Sequence, residues 1–398
     1  MAKRYLDTDV LTATKQRIAW TFDTFSRIYV SFSGGKDSSV MLHLVMDEAI
    51  KRGRKVGVLF VDLEAQYKLT IDHIAEMYRL YADHIEPYWV SLPIALRNAV
   101  SQYEPKWTCW GDGAEWVRKP PKMAITDRDY FPFYHYDMEF EEFVPAFGKW
   151  YGKMQLTACF VGIRADESLN RYRTIVRDKS RYEDKGFTTW CGEGLYNIYP
   201  IYDWRTEDVW TYNAKFNKPY NRLYDLMHQA GLSIHQQRIC QPYGNDQRKG
   251  LWLFQVIEPE TWAKIVARVN GANQGALYAR ESGNITGNIK ISKPEGHTWE
   301  SFAQLLLASM PDKTREHFEN KIAVFIKWYE DRGYSRGIPD EASVNDEAGK
   351  KVPSWRRVCK ALLRNDYWCK GLSFTQTKSE AYEKYLKVMR RRRQKWGI

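Results

Sequence analysis

The stretch YVSFSGGKDSSVMLHLVMDEA, residues 29–49, predicts how the chain folds around its first strand. Residues 27–32 are β-branched and aromatic, as is typical of a buried strand, and residues 38–49 carry apolar side chains at a helical period. Two consecutive glycines lie between these two runs. The sequence therefore predicts a strand, a tight turn and a helix in direct succession.

This turn is suited to bind an anion. A helix that begins here presents N–H groups without intrahelical acceptors, and glycine lets the backbone adopt positive φ and approach a ligand closely. Serine hydroxyls and a lysine ammonium add donors. The turn is shorter than a GxxxxGK(S/T) loop and does not match GxGxxG, and the alternative is an ordinary strand–helix connection. The candidate phosphate-binding residues are Ser33, Gly34, Gly35, Lys36, Asp37, Ser38 and Ser39.

Strand and helix patterns continue to alternate along the chain. Because parallel strands need a helical crossover, the alternation predicts an α/β fold with a doubly wound parallel sheet. Further strands are predicted at 55–61, 84–90, 155–163 and 196–201, and helices at 8–26 and 67–81. From Thr206, which is predicted to begin a capped helix, helices dominate, and later ones are predicted at 259–280, 298–308, 314–330, 354–364 and 376–394.

These patterns divide the chain into two predicted domains. Residues 1–230 form a nucleotide-binding domain, interrupted at about 91–136 by a Trp- and Pro-rich insertion of the kind that serves as a lid or docking surface. Residues 231–398 form a mostly helical accessory domain with a basic end.

Composition narrows the class of protein. The 398 residues are 44% hydrophobic and carry a net charge of +11, so an anionic partner is as plausible as an ordinary basic protein. The six cysteines contain no CxxC pair, from which we expect neither a disulfide framework nor a zinc or iron–sulfur site. No apolar leader or stretch of membrane-spanning length is evident, so we expect a cytoplasmic protein with no membrane contact.

Charged residues follow other predicted strands at the same edge of the sheet. Strand ends gather at the crevice where the strand order reverses, which places Asp62 and Glu64, and also Gly162 and Arg164, near the glycine turn. The two carboxylates are candidates to bind a ribose or a metal ion. Arg164 and Arg171 are candidates to form a fork on a phosphate or sulfate.

Each of these residues also has a structural alternative. Asp62 is equally suited to cap a helix, Glu64 to lie solvated at the surface, and Arg171 to pair with Asp166 or Glu167. Four residues further along are interpreted mainly as structural, with the aromatics packing a helix on the sheet. They are Asp203, Trp204, Asp208 and Trp210.

Four motifs in order carry a family resemblance over roughly residues 25–245. SGGKDS resembles the pyrophosphate loop (PP-loop) of the adenine nucleotide α-hydrolase superfamily. VGIRADESLNRYR (161–173), YPIYDWRTEDVW (199–210) and NKPYNRLYDLMHQAG (217–231) resemble segments of the phosphoadenosine phosphosulfate (PAPS) reductase-like branch. The resemblance implies an adenine nucleotide, ATP or PAPS, with Mg²⁺ as a possible companion. It also implies catalytic roles for Lys36, Asp37, Arg164 and Arg171, with Asp37 as the candidate Mg²⁺ ligand.

One part of the family chemistry does not carry over. Thiol-dependent reductases of this fold have a nucleophilic cysteine in a Glu-Cys-Gly tail or paired cysteines for an iron–sulfur cluster, whereas this chain ends RRRRQKWGI. Cys240 has no neighbouring cysteine and is reactive only if Arg238 or Arg248 lowers its pKa. We therefore expect transfer or activation of a group at the phosphate or sulfate rather than thiol-dependent reduction.

The C-terminal part suggests a second hypothesis. It is similar to the accessory region of the PAPS sulfotransferase-like group that includes the immunoglobulin-binding regulator A proteins. That resemblance implies a nucleotide-dependent transcriptional co-activator with a partition-nuclease-like protein partner. The basic end KYLKVMRRRRQKW (384–396) suits contact with a nucleic-acid backbone, although a solvated helix end has the same composition.

Overall fold

The computed structural model describes residues 7–98, 106–176, 181–239, 251–269, 291, 293–308, 310, 312–363, 366 and 369–374. They fall into two compact units. The first comprises Met1–Leu96, Thr108–Pro242 and Leu253–Arg268, and the second comprises Arg97–Trp107, Tyr243–Trp252 and Val269–Ile398. The predicted boundary near residue 230 stays a prediction.

A six-stranded sheet forms the centre of the first unit. The strands of the chain are β1 (Arg27–Ser31), β2 (Val56–Val61), β3 (Ile85–Val90), β4 (Ile94–Arg97), β5 (Lys106–Cys109), β6 (Met138–Glu139), β7 (Thr157–Val161), β8 (Thr188–Gly192) and β9 (Leu195–Ile198). The large sheet has the order β3-β2-β1-β7-β9-β8, and the short strands form a second sheet, β5-β4-β6. All neighbours in the large sheet are parallel except the antiparallel pair β8 and β9.

The strand order places a topological switch beside β1. This strand pairs in parallel with β2 on one side and with β7 on the other, so the chain runs from β1 outward in one direction and returns to its opposite side. Every residue of β2 is buried, as its unbroken apolar sequence predicts. The doubly wound parallel α/β fold predicted from the sequence is confirmed.

Helices cover both the strands and the crossovers of this unit. They are α1 (Val10–Thr24), α2 (Lys36–Lys51), α3 (Lys68–Leu80), α4 (Phe140–Gly152), α5 (Leu169–Val176), α6 (Thr206–Lys215), α7 (Leu223–Gln229), α8 (Leu251–Ile257) and α9 (Pro259–Arg268). Helix α2 begins at Lys36, two residues earlier than predicted, because Gly35 has the extended conformation of an N-cap. The predicted cap of α6 is shifted: Arg205 is the N-cap, and Asp208 accepts from its backbone N–H at 2.7 Å.

Two residues that the sequence analysis interpreted as structural hold α1 against the segment that follows β9. The indole N–H of Trp204, which is 1% exposed, donates to the Thr14 hydroxyl at 2.8 Å. Both carboxylate oxygens of Asp203 accept from Arg17, at 2.8 and 2.6 Å. Their structural interpretation is confirmed.

The part of the second unit that follows residue 269 is mainly helical where the structure describes it. Its helices Trp299–Ala308, Asp312–Glu330, Val344–Ala348 and Trp355–Leu363 pack around a core that includes Phe318 and Val358. Three of them confirm the predicted helices. The predicted helix at 376–394, Cys240 and the basic end lie outside the described residues. Among the described residues, no helix has the length and apolarity needed to cross a membrane.

Candidate functional site

The glycine turn closes the end of β1 in a conformation that requires glycine. Gly34 has φ +71°, and a Cβ there would lie 2.8 Å from Cγ1 of Ile74 on α3. Gly35 then takes φ −79° and ψ 163° and serves as the N-cap of α2 without a side chain of its own to cap the helix. The backbone N–H groups at the start of α2 are therefore left without a capping side chain from this residue.

The N–H groups at the start of α2 indicate a candidate anion-binding site. Those of Asp37 and Ser38 have no hydrogen-bond acceptor within the part of the chain that the structure describes. The N–H of Lys36 donates to the hydroxyl of Tyr224 at 2.9 Å. The Ser38 hydroxyl lies 3.0 Å from that of Ser33 and 3.1 Å from the Gly35 carbonyl. Free N–H groups and hydroxyls at a helix start are the usual ligands of phosphate.

Lys36 brings a positive charge to the turn but is only 5% exposed. Its ammonium lies 3.4 Å from Oδ2 of Asp37 and donates to the backbone carbonyl of Gln237 at 3.2 Å. The ring of Tyr224 lies 5.5 Å away, within cation–π distance. The lysine is thus held in place by protein groups on three sides.

Arg164, which follows the end of β7, also contacts the carboxylate of Asp37. It is 2% exposed, and its Nε donates to Oδ1 of Asp37 at 2.6 Å while another nitrogen donates to Thr206 at 3.2 Å. Gly162 makes this approach possible, since a Cβ there would lie 2.9 Å from the Cα of Ser38. The predicted meeting of the turn with residues 162–164 is present.

Asp37 consequently lies between two cations. A carboxylate bonded to Arg164 at 2.6 Å and 3.4 Å from the Lys36 ammonium has little remaining capacity for a divalent ion. The predicted Mg²⁺ ligand role of Asp37 does not fit this arrangement. No group of three or more metal-ligating side chains occurs among the described residues.

Arg171 is not part of this cluster. It lies on α5 with 48% of its side chain exposed and pairs with Glu167 at 3.6 Å. Arg164, in contrast, is buried against Asp37. The predicted fork of Arg164 and Arg171 is therefore absent from this conformation, and the alternative pairing of Arg171 with Glu167 is the one observed.

Asp62, at the end of β2, is fully buried and satisfied by protein donors. Its Oδ2 accepts from the indole N–H of Trp89 at 2.8 Å and from Ser91 at 3.4 Å. Its Oδ1 accepts from the Glu64 N–H at 3.0 Å and from Arg118, which comes from the insertion. Asp62 therefore ties β2 to β3 and to the insertion.

Glu64 is also fully buried, so its predicted alternative as a solvated side chain is wrong. Its carboxylate accepts from the backbone N–H groups of Trp110 at 2.6 Å and Val117 at 3.0 Å. Both oxygens are also bonded by Arg268, at 3.0 and 3.3 Å. With every oxygen of Asp62 and Glu64 occupied, this structure gives them a role in folding and does not favour the ribose or metal role.

Ser39 faces the interior rather than the turn. Its hydroxyl lies 2.8 Å from Nε2 of His73, and its N–H donates to the Gly35 carbonyl at 2.9 Å. Burial, with a smaller contribution from the neighbouring His43, lowers the pKa of His73 to about 4. Ser39 therefore joins α2 to α3 behind the loop.

Asn221 and Tyr224 also hold the loop, although the sequence analysis did not single them out. The Asn221 amide is fully buried and donates to the Gly34 carbonyl and to the Thr70 hydroxyl, both at 3.0 Å. Tyr224 accepts from Lys36 as described above. Both lie in NKPYNRLYDLMHQAG, so the signal that could have found them was the motif itself.

Four of the five cysteines in the described part of the chain are buried. Burial raises the pKa of Cys159, Cys359 and Cys369 to about 12 and that of Cys109 still further. Such thiols are protonated near neutral pH and are poor nucleophiles.

A glycine turn at the end of β1, beside the topological switch of a parallel sheet, defines a PP-loop protein of the adenine nucleotide α-hydrolase type. The family comparison narrows this class: residues 27–230 match the family described as "Phosphoadenosine phosphosulfate reductase domain". The chain belongs to the PAPS reductase domain family.

The C-terminal part matches a different family. Residues 231–341 and 334–383 match a "Domain of unknown function (DUF3440)". That description gives no activity or partner. The similarity of this part to the immunoglobulin-binding regulator A group stays a prediction.

Two curated relatives show how far the similarity extends. "Uncharacterized protein YbdN" of Escherichia coli is 48% identical over 397 residues, which cover 99% of this chain and 97% of that protein. "Adenosine 5'-phosphosulfate reductase 2" of Bacillus subtilis is 24% identical over 251 residues, covering 62% of this chain and 87% of the relative. The first relative therefore shares both units, and the second aligns with a smaller part of the chain.

Among solved structures, the PAPS reductase of Candida auris is 17% identical to this chain. The match covers 54% of this chain and 85% of that one, with a TM-score of 0.32. At this score we draw no argument about ligand or mechanism from the similarity.

Proposed function

We propose that the protein binds an adenylyl nucleotide, ATP or PAPS, through residues 33–39 and catalyses transfer or activation of a group at its outer phosphate or sulfate. The observation that carries the proposal is the convergence of two donor types at one point. They are the N–H groups of Asp37 and Ser38, which have no acceptor among the described residues, and the Lys36 ammonium, at a helix start fixed by the bond from Arg164 to Asp37.

Each residue has a definable part in such a reaction. The N–H groups of Asp37 and Ser38 and the ammonium of Lys36 would bind the outer oxygens and offset the negative charge that develops on them. Asp37 and Arg164 are positioning residues, because they bond each other and fix the start of α2. Preorganised donors of this kind are a large source of catalysis in group transfer.

The acceptor in this proposal is not one of the buried thiols. The four buried cysteines have raised pKa values, which supports a reaction in which an external acceptor attacks the nucleotide. No step is assigned to Mg²⁺, because Asp37, Asp62 and Glu64 are already bonded by protein groups.

The experiment has two stages. Mass spectrometry of nucleotides that copurify with the protein identifies the ligand, and titration calorimetry with ATP and with PAPS measures affinity. Incubation with each nucleotide and candidate acceptors then tests turnover. Product formation supports a catalytic function. Tight binding without turnover favours a nucleotide-dependent regulatory function. Absence of binding to both nucleotides contradicts the proposal.

A further inference from the structure

A short segment lies over the lysine of the loop. We call residues 232–239 the strap. Its Gln237 is 2% exposed, and the backbone carbonyl of this residue accepts from the Lys36 ammonium at 3.2 Å. Every other residue of the strap is exposed or half-buried. One buried residue, placed on the loop lysine, therefore anchors the strap to the protein interior.

The remaining contacts of the strap are polar and lie near the surface. Arg238 donates to the backbone carbonyl of Glu167, beyond the end of β7. His235 lies 3.4 Å from Glu207, with more than half of each side chain exposed. Few buried apolar contacts and exposed hydrogen bonds are characteristic of segments that open at low free-energy cost.

The strap has its own internal turn. The N–H groups of Gln236 and Gln237 both donate to the Ser233 carbonyl, at 2.9 and 3.2 Å. The Ser233 N–H donates to the side chain of Gln236 at 3.0 Å. These bonds provide amide protons whose exchange reports whether the turn of the strap is ordered.

A phosphate and the strap compete for the same ammonium. Lys36 has three N–H donors, of which one faces Asp37 and one the Gln237 carbonyl, and the Tyr224 ring lies beside them. The bond from the ammonium to the Gln237 carbonyl has one ionised partner, whereas a bond from it to a phosphate oxygen has two, so the Coulomb attraction of opposite charges adds to the hydrogen bond. An anionic ligand that reaches the loop therefore displaces the carbonyl and removes the anchor of the strap.

We propose that the strap is a gate on the loop: it is closed by the bond from Lys36 to Gln237, and nucleotide binding opens it. This inference rests on the proposed function. The strap begins where the match to the PAPS reductase domain ends, within the region that matches the domain of unknown function. The gate would thus report the state of the nucleotide site to the C-terminal part of the chain.

Hydrogen exchange tests the closed state without any ligand. In the Lys36→Met variant the strap loses its anchor, so we expect the amides of Gln236 and Gln237 to exchange about tenfold faster or more. Lys51→Met, at a lysine with 74% of its side chain exposed, serves as the control and leaves strap exchange unchanged. Equal exchange in Lys36→Met and wild type would overturn the gate, whatever the protein binds.

Measurements of ligand affinity test whether the strap and the ligand compete for Lys36. Arg238→Ala removes the second anchor and increases the open fraction, so the dissociation constants for ATP, PAPS and inorganic pyrophosphate should fall about three- to tenfold. Arg128→Ala, which removes an exposed ion pair with Asp112, is the control.

The outcomes separate the two proposals. If wild type binds a nucleotide and Arg238→Ala binds it equally well or more weakly, the gate is wrong and the proposed function stands. If neither form binds any of the three probes, the proposed function fails and the ligand-driven gate fails with it.

Discussion

The ends of β1 and β2 lie side by side in the sheet and are both followed by charged residues, yet they serve different purposes. After β1, N–H groups at the start of α2 have no acceptor among the described residues. After β2, every oxygen of the Asp62 and Glu64 side chains accepts a hydrogen bond from the protein. The first end carries the ligand-binding role that we propose, and the second uses its charges to hold the fold together.

The difference arises from what packs above each strand. The end of β2 is covered by the insertion, which supplies the N–H groups of Trp110 and Val117 and the side chain of Arg118. The end of β1 is bordered by Asn221 and Tyr224, which bond the loop backbone at the Gly34 carbonyl and the Lys36 N–H and not at the N–H groups of Asp37 and Ser38. Position at a strand end therefore does not by itself define a ligand-binding residue.

The largest effect is expected at the end of β2. Glu64→Ala removes the carboxylate that neutralises Arg268 and leaves two N–H groups unpaired in the interior, so we expect the free energy of unfolding to fall by about 3–5 kcal/mol. Urea unfolding measures this free energy. Asp72→Ala, which removes a surface ion pair with Lys68, should cost less than about 1 kcal/mol. If Glu64→Ala and Asp72→Ala are equally stable, the Glu64 carboxylate does not stabilise the end of β2, and the contrast between the two strand ends is wrong.

A pH effect of intermediate size is expected behind the loop. Burial lowers the pKa of His43 and of His73 from 6.5 to about 4. Below pH 6.5 the unfolded chain binds protons that the folded chain does not, so stability falls as the pH drops toward 4. Each histidine contributes at most about 1.4 kcal/mol per pH unit.

The His73→Gln variant isolates one of these two titrations. Urea unfolding between pH 6.5 and about 5 should show roughly half of the histidine-dependent slope that wild type shows. An identical slope in the variant and in wild type would mean that His73 binds protons equally in the folded and unfolded states, contrary to its lowered pKa.

The smallest effect concerns the shape of the loop. Gly34→Ala and Gly53→Ala both place a side chain at positive φ, +71° and +60°. A Cβ at Gly34 also meets Ile74 at 2.8 Å, whereas nothing lies within 4 Å at Gly53. We expect Gly34→Ala to cost about 1–3 kcal/mol more than Gly53→Ala in thermal or urea unfolding. Equal costs would show that the loop tolerates the extra methyl group.

Much of the fold follows from local sequence. The run KVGVLFV predicts a buried strand, and β2 is that strand, because unbroken apolar residues of this length suit a sheet covered on both faces. The glycine turn is equally local, since consecutive glycines, a lysine and the helix start occupy seven residues. Helix α4 and the antiparallel strand β8 gave no such signal and were not predicted.

The roles of Asp62 and Glu64 could not be predicted, because their partners are distant in sequence. Arg268 lies 204 residues from Glu64, and Arg118 lies 56 residues from Asp62. Tyr224 likewise reaches Lys36 across 188 residues. A single sequence shows which residue types follow a strand, but only the packed fold shows which of them are already bonded.

The most direct test of the central claim compares nucleotide binding at the two strand ends. Titration calorimetry with ATP and PAPS is performed on wild type, Lys36→Ala, Glu64→Gln and the exposed-lysine control Lys51→Ala. We predict that Lys36→Ala weakens binding about 30-fold or more, because a charge-assisted bond to the ligand is lost. Folded Glu64→Gln and Lys51→Ala should bind within about twofold of wild type. Full affinity in Lys36→Ala would contradict the account.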